Sequence, residues 1–264
     1  MYPTKYHKPA SISDAVALLA GNDEAMILGG GQTLLATMKQ HLAAPSDLVD
    51  IRAIKGMSGI STSDTALTIG AATTHADVAA SKEVKKLCPA LADLASHIGD
   101  PAVRSQGTIG GSIANNDPAA DYPAAMLALA ATIVTNKREI AADDFFLGQF
   151  TTALEEDEII TAVKVNAATK AAYAKFAQPA SLFAMVGVFV AKGAAGVRVA
   201  ITGAGDDGVF RHAGLEAALT ADWSDSAVNE VAISADGLMS DLHGSAEYRA
   251  NLIRVMAKRA VAAT

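Results

Sequence analysis

The chain contains very little cysteine: Cys88 is the only one among 264 residues. A single cysteine excludes an intramolecular disulfide, and a single thiolate cannot hold an iron–sulfur cluster. Because free cysteine is among the most buried residue types, we expect Cys88 to be a small core residue beside Pro89. The six histidines show no zinc-binding spacing such as H-E-x-x-H, so we predict no metal site.

Long charged runs and long apolar runs are also lacking. The net charge is −7 and no basic cluster is longer than Lys85-Lys86, which argues against a nucleic acid or an anionic membrane as a partner. The longest mainly apolar run, residues 124–134, is too short to span a bilayer, and residues 1–5 lack the apolar stretch of a secretion signal. Since 51% of the residues are apolar and 19% are charged, we expect a folded, soluble, cytoplasmic protein with no membrane span.

Two glycine-rich motifs, each next to apolar segments, are the most informative feature that the sequence does contain. The first motif is residues 28–35, L-G-G-G-Q-T-L-L, and the second is residues 107–114, G-T-I-G-G-S-I-A. Glycine allows the backbone to approach a ligand closely, and successive N–H groups in such loops form concavities that hold phosphate. Both motifs also carry a Thr or Ser hydroxyl. We therefore predict a long ligand whose diphosphate is held from two sides.

The first motif differs from two common phosphate-binding patterns. Leu34 stands where G-x-G-x-x-G would have its third glycine, and no Gly-Lys-Ser/Thr is present, so neither a Rossmann dinucleotide site nor a P-loop is indicated. For this motif alone, a tight turn between a strand and a helix is the alternative interpretation. Gln32 and Thr33 favour a ligand, because both can donate to phosphate whereas a turn does not require them.

Periodicity and capping signals divide the chain into three α+β units, residues 1–53, 54–168 and 169–264. In the first unit, a helix from Ser13 to Gly21, a strand over 25–28, a helix over 34–42 and a strand over 48–51 place the first motif at a strand-to-helix junction. Residues 99–118, which include the whole second motif, are predicted to form a long functional loop. The other predicted elements are strands at 66–70, 133–134, 159–165, 185–190 and 197–202, with helices at 89–98, 123–129, 213–220, 224–235 and 245–262, and a capping box at 74–77.

Asp121 comes shortly after the second motif and has two interpretations. Its carboxylate can accept hydrogen bonds from ribose or ribityl hydroxyls, or it can cap the helix that begins at Pro123. The sequence does not choose between them. Arg104, which lies just before the second motif, is expected to pair with an acidic side chain rather than to act in catalysis.

The two motifs, together with Gly99-Asp100-Pro101-Ala102-Val103-Arg104 and the run over residues 115–121, resemble the FAD-binding medium subunit of molybdenum hydroxylases. The resemblance covers nearly the whole chain and is greatest to the carbon monoxide dehydrogenase type, with the flavin domain of xanthine dehydrogenase more distant. It implies an α+β fold, in which a two-subdomain FAD-binding module is followed by a small C-terminal domain of antiparallel sheet plus helices. Residues 197–205 and 241–249 carry the resemblance in that last domain.

The resemblance implies which residues hold FAD. Asp121 would meet the adenosine or ribityl hydroxyls, and Ile98 and Ile160 would line the flavin or adenine pocket. Lys175 matches a lysine near the flavin, although its position alone indicates an exposed strand residue. Pro179 stands where some members have an arginine, which leaves polar contacts at the flavin edge open. The residues implied at the diphosphate are Leu28, Gly29, Gly30, Gly31, Gln32, Thr33, Leu34, Leu35, Thr108, Ile109, Gly110, Gly111 and Ser112.

The function that the resemblance implies is electron transfer, with no catalytic side chain on this chain. A large molybdenum subunit with the molybdenum cofactor and a small subunit with [2Fe–2S] clusters are the implied partners, assembled as a dimer of heterotrimers that reduces an external acceptor. The lone Cys88 argues against the hydroxybenzoyl-CoA reductase type, whose flavin subunit holds an additional cluster. Two alternatives stay open: a stand-alone FAD-dependent oxidoreductase and a flavin-free assembly subunit. The substrate stays open among carbon monoxide, a purine, an aldehyde and an N-heterocycle.

Overall fold

The computed structural model describes residues 1–264, and the first sheet is formed within the first 50 residues. Its elements are β1 (Lys5–His7), α1 (Ile12–Ala20), β2 (Ala25–Leu28), α2 (Leu34–Lys39) and β3 (Asp47–Asp50). The three strands are parallel in the order β1-β3-β2, with β3 in the middle. The first glycine motif therefore lies at the carboxyl end of an edge strand, where the chain turns into α2.

The helix ends in this unit differ slightly from the predicted ones. Ser11, not Ser13, is the N-cap of α1, because its hydroxyl accepts from Asp14 N at 3.2 Å, while Gly21 follows the last turn as predicted. Helix α2 ends at Lys39 rather than at Leu42, since His41 takes a positive φ of 63° that stops the helix.

The second sheet has five antiparallel strands, and two of them are connected by a long segment of helices. The strand order is β4-β5-β10-β6-β7, and the chain leaves the sheet after β5 and returns at β6 only after six helices. A separate two-stranded ribbon, β8-β9, precedes β10. The elements of this unit are β4 (Ile60–Thr62), β5 (Ala66–Gly70), α3 (His75–Ala80), α4 (Lys82–Leu87), α5 (Pro89–Ser96), α6 (Pro101–Gln106), α7 (Ile109–Asn115), α8 (Tyr122–Ala128), β6 (Thr132–Thr135), β7 (Glu139–Ala141), α9 (Ala142–Phe145), β8 (Phe146–Gly148), β9 (Thr151–Thr152) and β10 (Ile160–Asn166).

The prediction of a long loop over residues 99–118 is wrong, because that segment contains α6 and α7. Asp100 caps α6 through a bond from Val103 N to its carboxylate at 2.8 Å, with Pro101 in the first turn. Thr108 caps α7 by accepting from Gly111 N at 3.1 Å. Both helices are short and contain few strong helix formers, so their local caps and their packing stabilise them more than propensity does.

The third sheet is antiparallel in the order β11-β12-β13-β14 and is covered by helices. The predicted strand pair joined by Gly193 and Gly196 is confirmed, since these two residues pair at the β12–β13 turn. The last predicted helices are also present, but the one over 224–235 already ends at Asn229. The elements are β11 (Ala168–Ala177), β12 (Ala184–Gly193), β13 (Gly196–Thr202), β14 (Phe210–Arg211), α10 (Ala213–Ala221), α11 (Asp225–Asn229) and α12 (Ala246–Ala262).

Strand β12 is buried on both faces and so links two hydrophobic cores. Val186, Val188 and Val190 belong to a core under α12, whereas Phe189 and Ala191 belong to the larger core of the first two units. This alternation follows from the two-residue period of a strand, and it explains why β12 reads as a continuous apolar run. Cys88 lies in the larger core as expected, and burial raises the pKa of its thiol to about 11. No helix is both long enough and apolar enough to span a bilayer.

We predict that the buried guanidinium of Arg198 is needed to hold the third sheet on the second unit. From β13 it donates to Leu127 O at 2.7 Å and to both oxygens of Asp143 at 2.5 and 2.6 Å. The variant Arg198→Met keeps most of the volume but removes these three hydrogen bonds of a charged group, so the free energy of unfolding should fall by about 1–3 kcal/mol.

The control is Arg211→Met, which removes a more exposed guanidinium that also reaches Asp143, at 3.4 Å. This change should cost less than about 1 kcal/mol in urea denaturation followed by circular dichroism. Equal losses of unfolding free energy in the two variants would show that the burial of Arg198 does not increase its contribution to stability.

Candidate functional site

The first glycine motif presents a run of unpaired backbone donors. No N–H group from Gly29 to Leu34 donates to a protein acceptor; the first paired amide is that of Leu35, which donates to Gly31 O at 3.1 Å. The hydroxyl of Thr33 does not cap α2 either. Six consecutive N–H groups at a strand-to-helix turn form the kind of concavity that holds an anion.

In the second motif, by contrast, most of the backbone amides that were expected to hold phosphate are paired within the protein. Ile109 N donates to Thr73 O at 3.1 Å and Gly110 N donates to Ala71 O at 2.8 Å. The amide of Gly111 is taken by the Thr108 hydroxyl. The amides of Ile109 and Gly110 attach α7 to the segment after β5, which leaves the Thr108 amide and the hydroxyls of Thr108 and Ser112 as the polar groups of this motif for a ligand.

The two motifs nevertheless meet, as predicted. A Cβ added to Gly30 would lie 2.2 Å from Gln106 O and 2.5 Å from Gly107 Cα, so the two backbones are in direct contact. A Cβ on Gly29 would lie 3.1 Å from the Thr108 hydroxyl oxygen and 3.9 Å from Gly111 Cα. The unpaired amides of the first motif and the hydroxyl of Thr108 therefore border one common region.

The glycines of the second motif serve different purposes. A Cβ on Gly110 would lie 2.6 Å from Ala71 Cβ, and one on Gly107 would lie 2.6 Å from His75 Nε2, so both are packing positions. Gly111 is exposed, and its Cβ would approach only the Thr108 hydroxyl, at 2.9 Å. Of these three glycines, Gly111 is therefore the one facing the region between the motifs.

Asp121 and Lys175, both predicted to contact the cofactor, form a buried ion pair with each other. Lys175 Nζ donates to Asp121 Oδ2 at 3.0 Å and to His97 O at 3.1 Å, and Tyr173 Oη donates to Asp121 Oδ1 at 2.5 Å. The Asp121 carboxylate makes no cap to the following helix, so the capping alternative is wrong. The side chain of Lys175 is only 6% exposed, which corrects its interpretation as an exposed strand residue.

Burial dominates the electrostatics of this cluster. It raises the pKa of Asp121 above its ordinary value, while the Lys175 ammonium and the Tyr173 hydroxyl act in the opposite direction. Burial and the neighbouring carboxylate raise the pKa of Tyr173 well above its ordinary value. Tyr173 was not among the predicted site residues. Its position two residues before Lys175 on β11 puts both on one face, which is the signal that could have found it.

Several apolar residues on the predicted list lie in hydrophobic cores. Ile109 is fully buried, and Ile160 is buried at the start of β10. Ile98 is partly buried against the same core, next to the His97 carbonyl that binds Lys175. Leu28, Leu34 and Leu35 pack with Met38 and Leu48 behind the first motif.

Two other features lie outside the region between the motifs. The guanidinium of Arg104 donates to the carbonyls of Ile98 and Gly99 rather than to an acidic side chain, which corrects the expected ion pair. A cavity of about 340 Å³ lies between the β8 segment and the turns at residues 205–210 and 233–238, and no predicted site residue lines it. The candidate site is thus an open cradle of backbone donors and not this cavity.

Comparison with known proteins agrees with this geometry. Residues 2–167 match the family model described as the FAD binding domain in molybdopterin dehydrogenase. The chain belongs to this family. It is 36% identical to the carbon monoxide dehydrogenase medium chain of Hydrogenophaga pseudoflava, over 97% of this chain and 95% of the relative. It is 33% identical to the nicotine 6-hydroxylase medium subunit of Paenarthrobacter nicotinovorans, with the same coverage of both chains.

A solved structure of carbon monoxide dehydrogenase from Hydrogenophaga pseudoflava superposes with a TM-score of 0.90 at 36% identity, covering 99% of this chain and 96% of that one. The α+β fold with its FAD-binding module is thereby confirmed. This member of the family is a flavoprotein subunit of a carbon monoxide or xanthine dehydrogenase-type oxidoreductase, with FAD as its cofactor.

The residues present fit FAD on physical grounds. Its diphosphate needs several donors at close range, and the first motif has six consecutive unpaired N–H groups. A side chain at Gly30 would overlap the neighbouring backbone, so the close approach of the two motifs requires glycine there. A plain turn between β2 and α2 would explain neither observation.

We predict a pH dependence of stability that arises from the buried ring of His75, behind the second motif. Burial, with the nearby Arg104 charge, lowers the pKa of His75 from 6.5 to about 4. Between these values the unfolded chain binds a proton that the folded chain does not, so stability falls as the pH drops. The contribution to the free energy of unfolding reaches a loss of roughly 3 kcal/mol by about pH 4.

The measurement is urea denaturation at several pH values for the wild type, His75→Phe and the exposed control His243→Phe. Over this range His75→Phe should lose less stability than the wild type, whereas the control should follow the wild type. The same pH dependence in His75→Phe and the wild type would contradict the assignment.

Proposed function

We propose that this chain is the FAD-carrying electron-transfer subunit of a multi-subunit molybdenum hydroxylase. It takes electrons from [2Fe–2S] clusters on a small partner subunit and delivers them to an external acceptor. The observation that carries the proposal is the run of unpaired amides from Gly29 to Leu34, in contact with the second motif. Membership of an FAD-binding family supports FAD as the ligand of this cradle.

Each part of the site has a proposed role. The amides from Gly29 to Leu34 and the Thr33 hydroxyl bind the diphosphate, with Thr108 and Ser112 on its other side. We assign the Asp121–Lys175 pair to another part of the cofactor, whose hydroxyl groups donate to the carboxylate, while the ammonium favours the ionised form of that carboxylate. Bound FAD supplies the redox chemistry, since a flavin exchanges electrons in pairs or singly.

The division of labour with other subunits follows from the residues that this chain carries. Its one cysteine is buried in the core and has a raised pKa, so it is unsuited to hold a cluster. We therefore place the clusters on a small subunit and the molybdenum cofactor on a large subunit, assembled as a dimer of heterotrimers. We assign residues 1–53 and 54–168 to the FAD module and 169–264 to the C-terminal domain. The two relatives above act on different substrates, so the proposal leaves the substrate to the large subunit.

We predict that Gly111→Val weakens FAD binding without unfolding the protein. The new side chain enters the exposed region beside Thr108, which the cofactor has to share. The dissociation constant of FAD should rise by roughly tenfold or more, which corresponds to about 1.4 kcal/mol. The measurement is quenching of flavin fluorescence on titration of FAD with the apoprotein.

The matched control is Ala114→Val, one turn further along α7 and also exposed. It should leave both FAD affinity and the unfolding midpoint close to the wild type. If Gly111→Val binds FAD as tightly as Ala114→Val does, the second motif takes no part in holding the cofactor.

We also predict that electrons stop at the clusters when this chain cannot hold FAD. The complex containing Gly111→Val, purified with its partner subunits, freed of its weakly held FAD by gel filtration and reduced anaerobically with dithionite, should keep reduced clusters on mixing with an electron acceptor. The wild-type complex should reoxidise rapidly, which the visible absorbance of the clusters reports. Equally fast reoxidation of both complexes would contradict the electron-transfer role, and substrate turnover by the isolated chain would favour a stand-alone flavoenzyme.

A further inference from the structure

Three layers of atoms are stacked behind the first glycine motif. The outer layer is Gly30, whose added Cβ would overlap the peptide between Gln106 and Gly107. That peptide is the middle layer. The inner layer is the ring of His75, because a Cβ on Gly107 would lie 2.6 Å from its Nε2 and 2.8 Å from its Cδ2. The Gln106–Gly107 peptide is therefore enclosed from both sides.

The inner layer is held firmly in place. His75 is the first residue of α3, and the Thr74 hydroxyl caps that helix by accepting from Asp77 N at 3.1 Å. The backbone of His75 also donates to Gly107 O at 2.9 Å. On its other side the ring packs against Tyr122 with the ring centroids 5.4 Å apart. The ring is only 4% exposed and cannot retreat without moving α3 or α8.

Packing alone does not account for an imidazole at this position. The Nδ1 atom of His75 is buried without a hydrogen-bond partner, and so is the hydroxyl of the adjoining Tyr122. Each such atom costs about 1–3 kcal/mol, a penalty that a purely apolar ring would avoid. The imidazole therefore costs stability and calls for another explanation.

The edge that faces Gly107 supplies that explanation. A ring nitrogen without a proton carries only a lone pair there, so it occupies less space than the C–H group of a phenyl ring. We assign the proton to Nδ1, because a bare Nε2 leaves more room than an N–H group between the ring and Gly107.

We propose that His75 is the positioning residue that sets the separation of the two glycine motifs. It holds the Gln106–Gly107 peptide at the depth where Gly30 can rest against it, so that the unpaired amides and Thr108 face the same ligand. This inference rests on the proposed function, since the ligand is the FAD diphosphate.

The test is a double-mutant cycle on the full chain with Gly30→Ala and His75→Ala. The Cβ at residue 30 pushes the peptide inwards, and the shortened side chain at residue 75 makes room for it. Each single change should weaken FAD binding by roughly tenfold, as overpacking and cavity formation of this size do. The double variant should bind FAD at least about fivefold more tightly than the product of the single effects predicts.

The control cycle pairs Gly30→Ala with Val78→Ala, a fully buried position on the same helix that does not face Gly107. This pair should be additive in FAD affinity. If Gly30→Ala does not fold alone, recovery of folded protein in the Gly30→Ala/His75→Ala double variant, but not with Val78→Ala, supports the same coupling.

Additivity in both cycles would overturn the role of His75. The coupling can also be read from unfolding midpoints of the apoprotein, which involve no flavin. If the wild-type protein does not bind FAD but the effects of Gly30→Ala and His75→Ala on the unfolding midpoint are non-additive, the proposed function is refuted. The role of His75 in setting the separation of the motifs is then retained. Bound FAD with uncoupled variants would refute the spacing role alone.

Discussion

The contact between Gly30 and the Gln106–Gly107 peptide is the constraint on which the rest of the site depends. Two backbones approach this closely only where no Cβ points into the contact, so glycine is needed at residue 30 for the contact itself rather than for flexibility. The contact brings the turn after β2 against the junction between α6 and α7, which belongs to the unit of the second sheet. The two similar motifs therefore have different roles. The first supplies backbone donors, whereas amides of the second donate to the carbonyls of Ala71 and Thr73, and its Thr108 hydroxyl faces the first motif.

The third sheet completes the site although it carries neither motif. Tyr173 and Lys175 extend from β11 to Asp121, and Lys175 also binds the carbonyl beside Ile98. Arg198, on β13 of the same sheet, fixes that strand to α8 through Leu127 O. The charged cluster around Asp121 of the second unit is therefore completed only by side chains of the third unit.

Local signals predicted most elements of the fold. The strand at 66–70, the capping box at Thr74 and the turn between Gly193 and Gly196 are present because their signals act within a few residues. The helices within residues 99–118 were missed because short, glycine-containing helices have weak propensity, although Asp100-Pro101 is a helix-start signal. The unpredicted partnership of Tyr173 with Asp121 spans 52 residues, a distance that no periodicity encodes.

The sequence by itself determined which residues can bind a phosphate-rich cofactor, since glycine amides and the hydroxyls of Thr33 and Thr108 can donate to phosphate. It also determined that one cysteine holds no cluster. Only the tertiary structure decided which of these donors are free to bind a ligand. Backbone amides satisfied inside the protein are lost to a ligand, and those of the second motif are satisfied by strand-end carbonyls that local sequence does not identify. Burial likewise paired Asp121 with Lys175, because a charge taken out of water needs an opposite charge or hydrogen-bond partner nearby.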